Sequence, residues 1–255
     1  MNKYFKTIYM SATGKTAGGI VYILPDVLIK TFTLISLVFL WRAAMSSNVD
    51  VGMTLNQILT YTCVSAVLSD MLSVKTAATG WLSEGVLFKL FGHPLSVFGN
   101  LISQTIGGWV PMFLMFSLPM VLILPLFKIS FSPSSPLFFI SLLLCVSLGF
   151  AIDSLFACLS IKLRNMNWLI GRMRIAVNTV LSGTFVPINL LPFGIANVVK
   201  YQPFASLGGA PLSIFVGTAN IAQTLLLQLI WNIVLWPFAL LVWKKSQEGM
   251  VSYGG

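Results

Sequence analysis

The chain has 255 residues, 57% of them hydrophobic and 8% charged, where a soluble domain carries roughly 25% charged residues. With a mean hydropathy of +0.92 it cannot cover a water-facing surface, which excludes an ordinary soluble domain. The net charge of +9 comes from basic residues set between apolar runs rather than on one face. It therefore points to orientation in a membrane and not to a nucleic-acid partner.

A helix needs about 20 apolar residues to cross the hydrocarbon layer. Residues 1–19 mix Tyr4, Phe5, Ile8, Tyr9 and Met10 with lysines, which predicts an amphipathic helix on the inner membrane surface. The apolar run that follows is too long for the core of a cleavable signal peptide. That run, Ile20–Ala44, is the first predicted span and ends at an interfacial Trp41-Arg42. Asp26 and Lys30 stand one helical turn apart within it, acid first. They form either a self-neutralised pair near the inner interface or a functional intramembrane charge.

Thr54–Val74 is the second predicted span, with Gln57, Tyr61, Ser65 and Ser69 on one face and Asp70 near its inner end. Residues 75–100 form a long inner connection interrupted by Gly and Pro. Within it Leu82, Val86, Leu87 and Leu90 recur at helical spacing, with Ser83, Glu84 and Lys89 among them. Two readings fit this pattern: a short helix with an apolar side toward the membrane and a polar side toward a partner, or an interfacial helix resting on lipid headgroups.

The third predicted span is Trp109–Phe127 and the fourth Leu137–Ser160. Ser141, Cys145, Gly149, Asp153 and Ala157 share one face of the fourth, and Asp153 lies near its cytoplasmic end. Asp70 and Asp153 either hold basic inner-loop residues or contact substrate. Ile175–Leu191 is a shorter fifth span with Asn178 and Ser182 on one face. Residues 187–217 are apolar, yet Pro187, Pro192, Pro203 and Pro211 prevent one straight helix. They are expected to dip into the outer leaflet as short helices, which requires cover from protein or a water-filled cavity and hints at a gate. The sixth span, Ile221–Trp243, carries Thr224, Gln228 and Asn232 and is closed by Lys244-Lys245. The small and polar stripes serve either close helix packing or the lining of a translocation path.

With the N-terminus inside, Lys3, Lys6, Lys15, Lys75, Lys89, Lys162, Arg164, Arg172, Arg174, Lys244 and Lys245 fall on the inner side. Only Arg42, Lys128 and Lys200 fall outside, eleven against three. That bias predicts cytoplasmic residues 1–19, 75–100, 161–174 and 244–255, hence both termini inside.

Catalytic and nucleotide motifs fail on inspection. Gly14-Lys15-Thr16 lacks the glycine five residues before Gly14, where Tyr9 stands, and no strand-like run leads into it. His93 has no ligand partners nearby in sequence. Cys63, Cys145 and Cys158 lie inside apolar runs and read as small core residues, so no metal site is expected. Paired carboxylates and nucleophile elbows are missing from the sequence, and no enzymatic activity is expected.

The order of features resembles the permease subunits of type-2 ABC exporters over nearly the whole chain. Leu40-Trp41-Arg42-Ala43, followed by Leu55, Ile58, Thr60 and Tyr61, is similar to that family's first hairpin. Gly80-Trp81-Leu82-Ser83-Glu84-Gly85 through Leu87, Leu90 and Pro94 is similar to its coupling segment, without the basic residue that often precedes it. Ser182-Gly183-Thr184-Phe185-Val186-Pro187, Leu191-Pro192 and Tyr201-Gln202-Pro203-Phe204 resemble its fifth-span and re-entrant region.

The resemblance implies an all-α integral membrane permease domain over 1–255, with six transmembrane helices and re-entrant helices at 187–217. It further implies a second permease subunit, as homodimer or paralogous heterodimer, and a cytosolic ABC ATPase that binds ATP and Mg; this chain carries no cofactor. Leu82, Glu84, Gly85, Leu87, Lys89, Leu90 and Pro94 would couple to that ATPase. Asn178, Ser182, Phe185, Pro187, Phe204, Gln228 and Asn232 would line or gate the pathway, Phe185 and Phe204 closing its exit. The cargo would be an amphipathic antibiotic, peptide or lipid-like compound moved outward across the cell membrane. The alternative is a secondary transporter or channel working without ATP, with Asp26, Lys30, Asp70 and Asp153 as the ionised candidates.

Overall fold

A computed structural model describes residues 3–46, 52–83, 96–127, 129, 131–163, 166–191 and 194–251. Glu84, Gly85, Val86, Leu87, Lys89, Leu90, His93, Pro94, Lys128, Arg164 and Pro192 lie outside the described residues. The described chain is helical, with no strand. In order it forms α1 (Lys3–Ala17), α2 (Leu24–Ser46), α3 (Leu55–Val67), α4 (Ser69–Leu72), α5 (Ala78–Ser83) and α6 (Val97–Met112). There follow α7 (Leu118–Ile123), α8 (Leu137–Lys162), α9 (Asn167–Leu181), α10 (Ala196–Val199), α11 (Gly209–Val216) and α12 (Ile221–Val251).

Among the described residues four stretches are long and apolar enough to cross a membrane: Ile20–Ser46, Val97–Phe127, Leu137–Ser160 and Ile221–Ser246. The protein is an all-α membrane protein. The two remaining predicted spans coincide with shorter helices. Thr54 caps α3 in a reciprocal box with Gln57, but the helix stops at Val67 and resumes as the four-residue α4.

The Ile175–Leu191 run is helical only as far as Leu181, and the helix begins back at Asn167. Arg172 and Arg174 therefore sit on α9 and not in a connecting loop. The helix ends where Gly183 takes φ 78°, a conformation that costs glycine nothing. The third run also starts earlier than hydropathy indicated, at Val97, because the Ser96 hydroxyl accepts the Gly99 amide hydrogen at 3.1 Å and caps the helix. A π-helical stretch, Phe113–Ser117, joins α6 to α7 between Pro111 and Pro119, each of which lacks an amide hydrogen.

The small-residue face of α8 organises the bundle. Ser141, Cys145, Gly149, Asp153 and Ala157 are all buried. α12, α5, α11, α4 and α9 all pack on this helix. At Gly149 a Cβ would come within 2.6 Å of the Val74 side chain. Glycine is what lets the 73–77 turn lie against α8. The main apolar core joins Tyr61, Val64, Leu148, Leu212, Ile214 and Phe215 from α3, α8 and α11.

The N-terminal α1 lies along α6, so it has a partner within the chain. Gly107 lets the two helices touch, since a Cβ there would meet Ser11 at 2.7 Å. The Ser11 hydroxyl donates to the Gln104 carbonyl at 2.8 Å, and Lys15 Nζ to the Gly108 carbonyl at 3.0 Å.

The described residues of 187–217 form short pieces: a single turn at Ile188–Leu190 after Pro187, then α10 and α11. α11 is the buried one, with Leu212 and Ile214 wholly covered. Its carbonyl end is satisfied from the 131–136 loop, where Ser134 donates its amide to Phe215 at 2.9 Å and its hydroxyl to Ile214 at 2.7 Å.

Candidate functional site

A groove of about 400 Å3 opens between α2, α3 and the end of α9. α2 supplies Ile29, Lys30, Thr33, Leu34 and Leu37, and α3 supplies Thr62, Ser65 and Ala66. Ser69, Thr179, Thr184 and Phe185 complete the wall. The wall between α3 and the chain beyond α9 is fixed by hydrogen bonds. Tyr61 donates its phenol hydrogen to the Gly183 carbonyl at 2.6 Å, and Ser65 its hydroxyl to the Thr184 carbonyl at 2.7 Å. These bonds occupy carbonyls that the end of α9 would otherwise leave unpaired in an apolar setting.

The groove has two characters. Ile29, Leu34, Leu37 and Phe185 make apolar wall, and Phe185 is 44% exposed at the rim. The hydroxyls of Thr33 and Thr62 have given their hydrogens to the Ile29 and Ile58 carbonyls, each at 2.8 Å, so both can act as acceptors. Ser69 Oγ is buried with no partner among the described residues. Lys30 is the donor: its Nζ bonds Asp70 Oδ2 at 2.8 Å and lies 5.7 Å from the Phe116 ring centre. An elongated molecule with a polar end and an apolar body matches this lining.

Lys30 pairs with Asp70 of α4 and not with Asp26, which corrects the pairing read from sequence. The interruption of α3 at Leu68 starts a new turn that carries Asp70 to α2. Among the described residues Asp26 has no ion-pair partner.

A second polar cluster lies deep under the 73–77 turn. Arg174 Nη1 donates to Asp153 Oδ1 and to the Val74 carbonyl, both at 2.6 Å. Asp153 Oδ2 accepts the Thr76 amide at 2.9 Å and the Thr76 hydroxyl at 2.5 Å. Asn178, a predicted pathway residue, donates to Ser73 Oγ at 2.8 Å. Phe204 borders the same cluster across a small cavity of about 20 Å3. This network ties α8, α9 and the approach to α5 at one point.

The remaining predicted residues fall elsewhere. Ser182 is fully buried, within 2.9 Å of the Thr184 hydroxyl, and Pro187 starts the Ile188–Leu190 turn. Gln228 and Asn232 face α8. Ser141 donates to Gln228 Oε1 at 2.8 Å, and Gln228 Nε2 donates to the Ser206 carbonyl at 2.8 Å. Asn232 Nδ2 reaches the Leu144 carbonyl at 3.1 Å. Of the coupling residues, Leu82 lies in α5.

The structure thus brings Phe185 to the groove and Asn178 and Phe204 to the polar cluster. It sets Gln228 and Asn232 at the α8–α12 contact. Sequence reasoning passed over Thr33, Thr62 and Thr179. For Thr33 and Thr62 the signal was spacing: Thr33 lies three residues after Lys30, and Thr62 three before Ser65, so each shares a helix face with a polar residue already singled out.

The described residues hold no group of three His, Cys, Asp or Glu able to bind a metal ion. Compared with family models and with curated proteins, the chain matches none.

Proposed function

We propose that this chain is the membrane permease subunit of an ATP-driven exporter of the type-2 ABC kind. It crosses the membrane six times, with both termini cytoplasmic and residues 187–217 re-entrant from the outer side. A second permease subunit seats against it, and a cytosolic ATPase docks on residues 75–100. One observation carries the reading: a groove lined by hydroxyls, Lys30 and apolar side chains, running beside α2, a helix that the rest of the chain leaves largely uncovered. A second copy set against α2 would close two such grooves into one pathway for an amphipathic cargo. The Arg174–Asp153–Thr76 network gives movement at 75–100 a rigid connection to α8 and α9.

ATP-independent secondary transport is the competing reading, and the Lys30–Asp70 pair beside the groove favours it, because an intramembrane ion pair can exchange protons or ions. Copurification separates the two. An ATP-hydrolysing subunit should copurify with the tagged chain, and Glu84→Lys should weaken that association while Glu248→Lys does not. Transport by the chain alone in proteoliposomes, driven by a proton gradient and indifferent to ATP, would replace the first reading with the second. Cysteines at Ser132 and Ser246 should label from opposite faces of intact cells, and same-side labelling would overturn the six-span topology.

A further inference from the structure

A second cavity, of about 410 Å3, lies between α1, the start of α2, α4 and α6. Its lining is polar and carries both signs of charge: Lys15 and Lys75 against Asp26 and Asp70. Much of the rest of the polar lining is already engaged. Ser11 donates to Gln104, Thr105 donates to Leu101 within its own helix, and Ser73 accepts from Asn178. Asp70 is shared with Lys30, and Lys15 uses one of its three hydrogens on the Gly108 carbonyl. Asp26 and Lys75 have no ion-pair or hydrogen-bond partner among the described residues, so one full negative and one full positive charge face the cavity unspent.

We infer that this cavity binds a phosphodiester that also carries a primary amine, the zwitterionic headgroup of an aminophospholipid. The phosphate would sit between Lys15 and Lys75, and the ammonium would donate to Asp26 and to the free oxygen of Asp70. A simple anion would meet the two lysines but also two carboxylates. A quaternary ammonium cannot donate hydrogen bonds to those carboxylates, and Trp109 offers a single aromatic wall where such cations use a cage. The surroundings fit a lipid. Ile20, Val21 and Tyr22, between α1 and α2, are 61%, 71% and 75% exposed. They offer an apolar surface for acyl chains next to a charged cavity at headgroup level. The inference rests on the chain spanning a membrane and stands whether or not an ATPase drives it.

The test uses the full chain reconstituted in bilayers of equal parts phosphatidylethanolamine, phosphatidylglycerol and phosphatidylcholine. The protein is extracted and washed in detergent, and retained lipid is measured by mass spectrometry. Phosphatidylethanolamine should be retained several-fold over both others. Asp26→Asn and Lys75→Gln should each abolish the preference, while Lys200→Gln keeps it. Elution volume and thermal unfolding confirm that the variants are folded, as expected for partnerless side chains. Competition with soluble glycerophosphoethanolamine distinguishes the source. Displacement at millimolar concentration would assign the site to the free phosphoamine, and resistance to it to the membrane lipid; either outcome supports the headgroup chemistry. Equal retention of phosphatidylglycerol or phosphatidylcholine, or an unchanged preference in Asp26→Asn, would overturn it.

Discussion

Ile20–Ser46 and Leu137–Ser160 are almost equally apolar, with mean hydropathies of 2.0 and 2.2 over their 18-residue apolar segments, yet 11% of that segment in the first and 56% in the second is buried inside the chain. The difference lies in side-chain size along one face. Leu137–Ser160 presents Ser141, Cys145, Gly149, Asp153 and Ala157 at four-residue spacing, and neighbouring backbones come close enough to bury it. Ile20–Ser46 presents Phe32, Ile35, Phe39 and Leu40, all exposed, and among the residues of α2 only Leu34 and Trp41 are buried. Within a bilayer, lipid tails are as apolar as leucine, so hydrophobicity does not decide which helix goes to the centre; close packing and hydrogen bonds do. The exposed helix borders the groove, and the buried one holds the charged network. One is shaped for an external contact, the other for the interior.

Breaking the interior should cost most. Arg174→Ala leaves Asp153, which is 3% exposed, without its counter-charge. Removing one partner of a buried pair costs roughly 3–5 kcal/mol, and denaturant unfolding in detergent should show a loss of that order. A loss under ~1 kcal/mol would mean that the pair is solvated and that α8 is not the sealed centre. Gly149→Val comes next. Its side chain would collide with Val74, and overpacking of this kind costs about 1–3 kcal/mol. Thermal unfolding should shift down, while Gly14→Val on the open face of α1, where nothing lies within 4 Å of a Cβ, should show no such collision.

Gln228→Leu probes the α8–α12 contact. It removes the partner of the Ser141 hydroxyl, and intramembrane hydrogen bonds average about 0.6 kcal/mol and reach about 1.7. The expected shift is smaller than for Gly149→Val, and a larger one would place Gln228 in the same class as the charged network. The smallest effect on stability is expected on α2. Phe39 is 67% exposed, so Phe39→Ala should change stability by less than about 0.5 kcal/mol. Crosslinking between copies through a cysteine at Phe32 should fall in the same variant if a second subunit covers this helix. Unchanged crosslinking with lost stability would reverse the contrast between the two helices.

Much of this architecture is written in residue types. Length and apolar runs place the membrane stretches, because burial of a helix in lipid depends only on local composition. The prolines of 187–217 require short helical pieces, and the four-residue stripe on Leu137–Ser160 marks a packed face. Helix ends were less legible. Asn167–Leu181 begins eight residues before the expected Ile175, since a helix continues through a charged residue such as Arg174 when that residue finds a partner. Partners are a property of the fold.

The same holds for charge pairing. Sequence spacing joins Lys30 to Asp26, one turn away. The break after α3 brings Asp70 within 2.8 Å instead and leaves Asp26 facing the second cavity. Likewise, polar spacing marks Gln228 and Asn232 without saying whether they meet a path or another helix; the Ser141 and Leu144 contacts set them against α8. By itself the sequence determined that this is an all-helical membrane protein, and which faces are small, polar or broken. Only the tertiary structure decided which charges meet, which helix is central and where cavities open. Those outcomes depend on contacts between segments tens of residues apart, for which local periodicity holds no information.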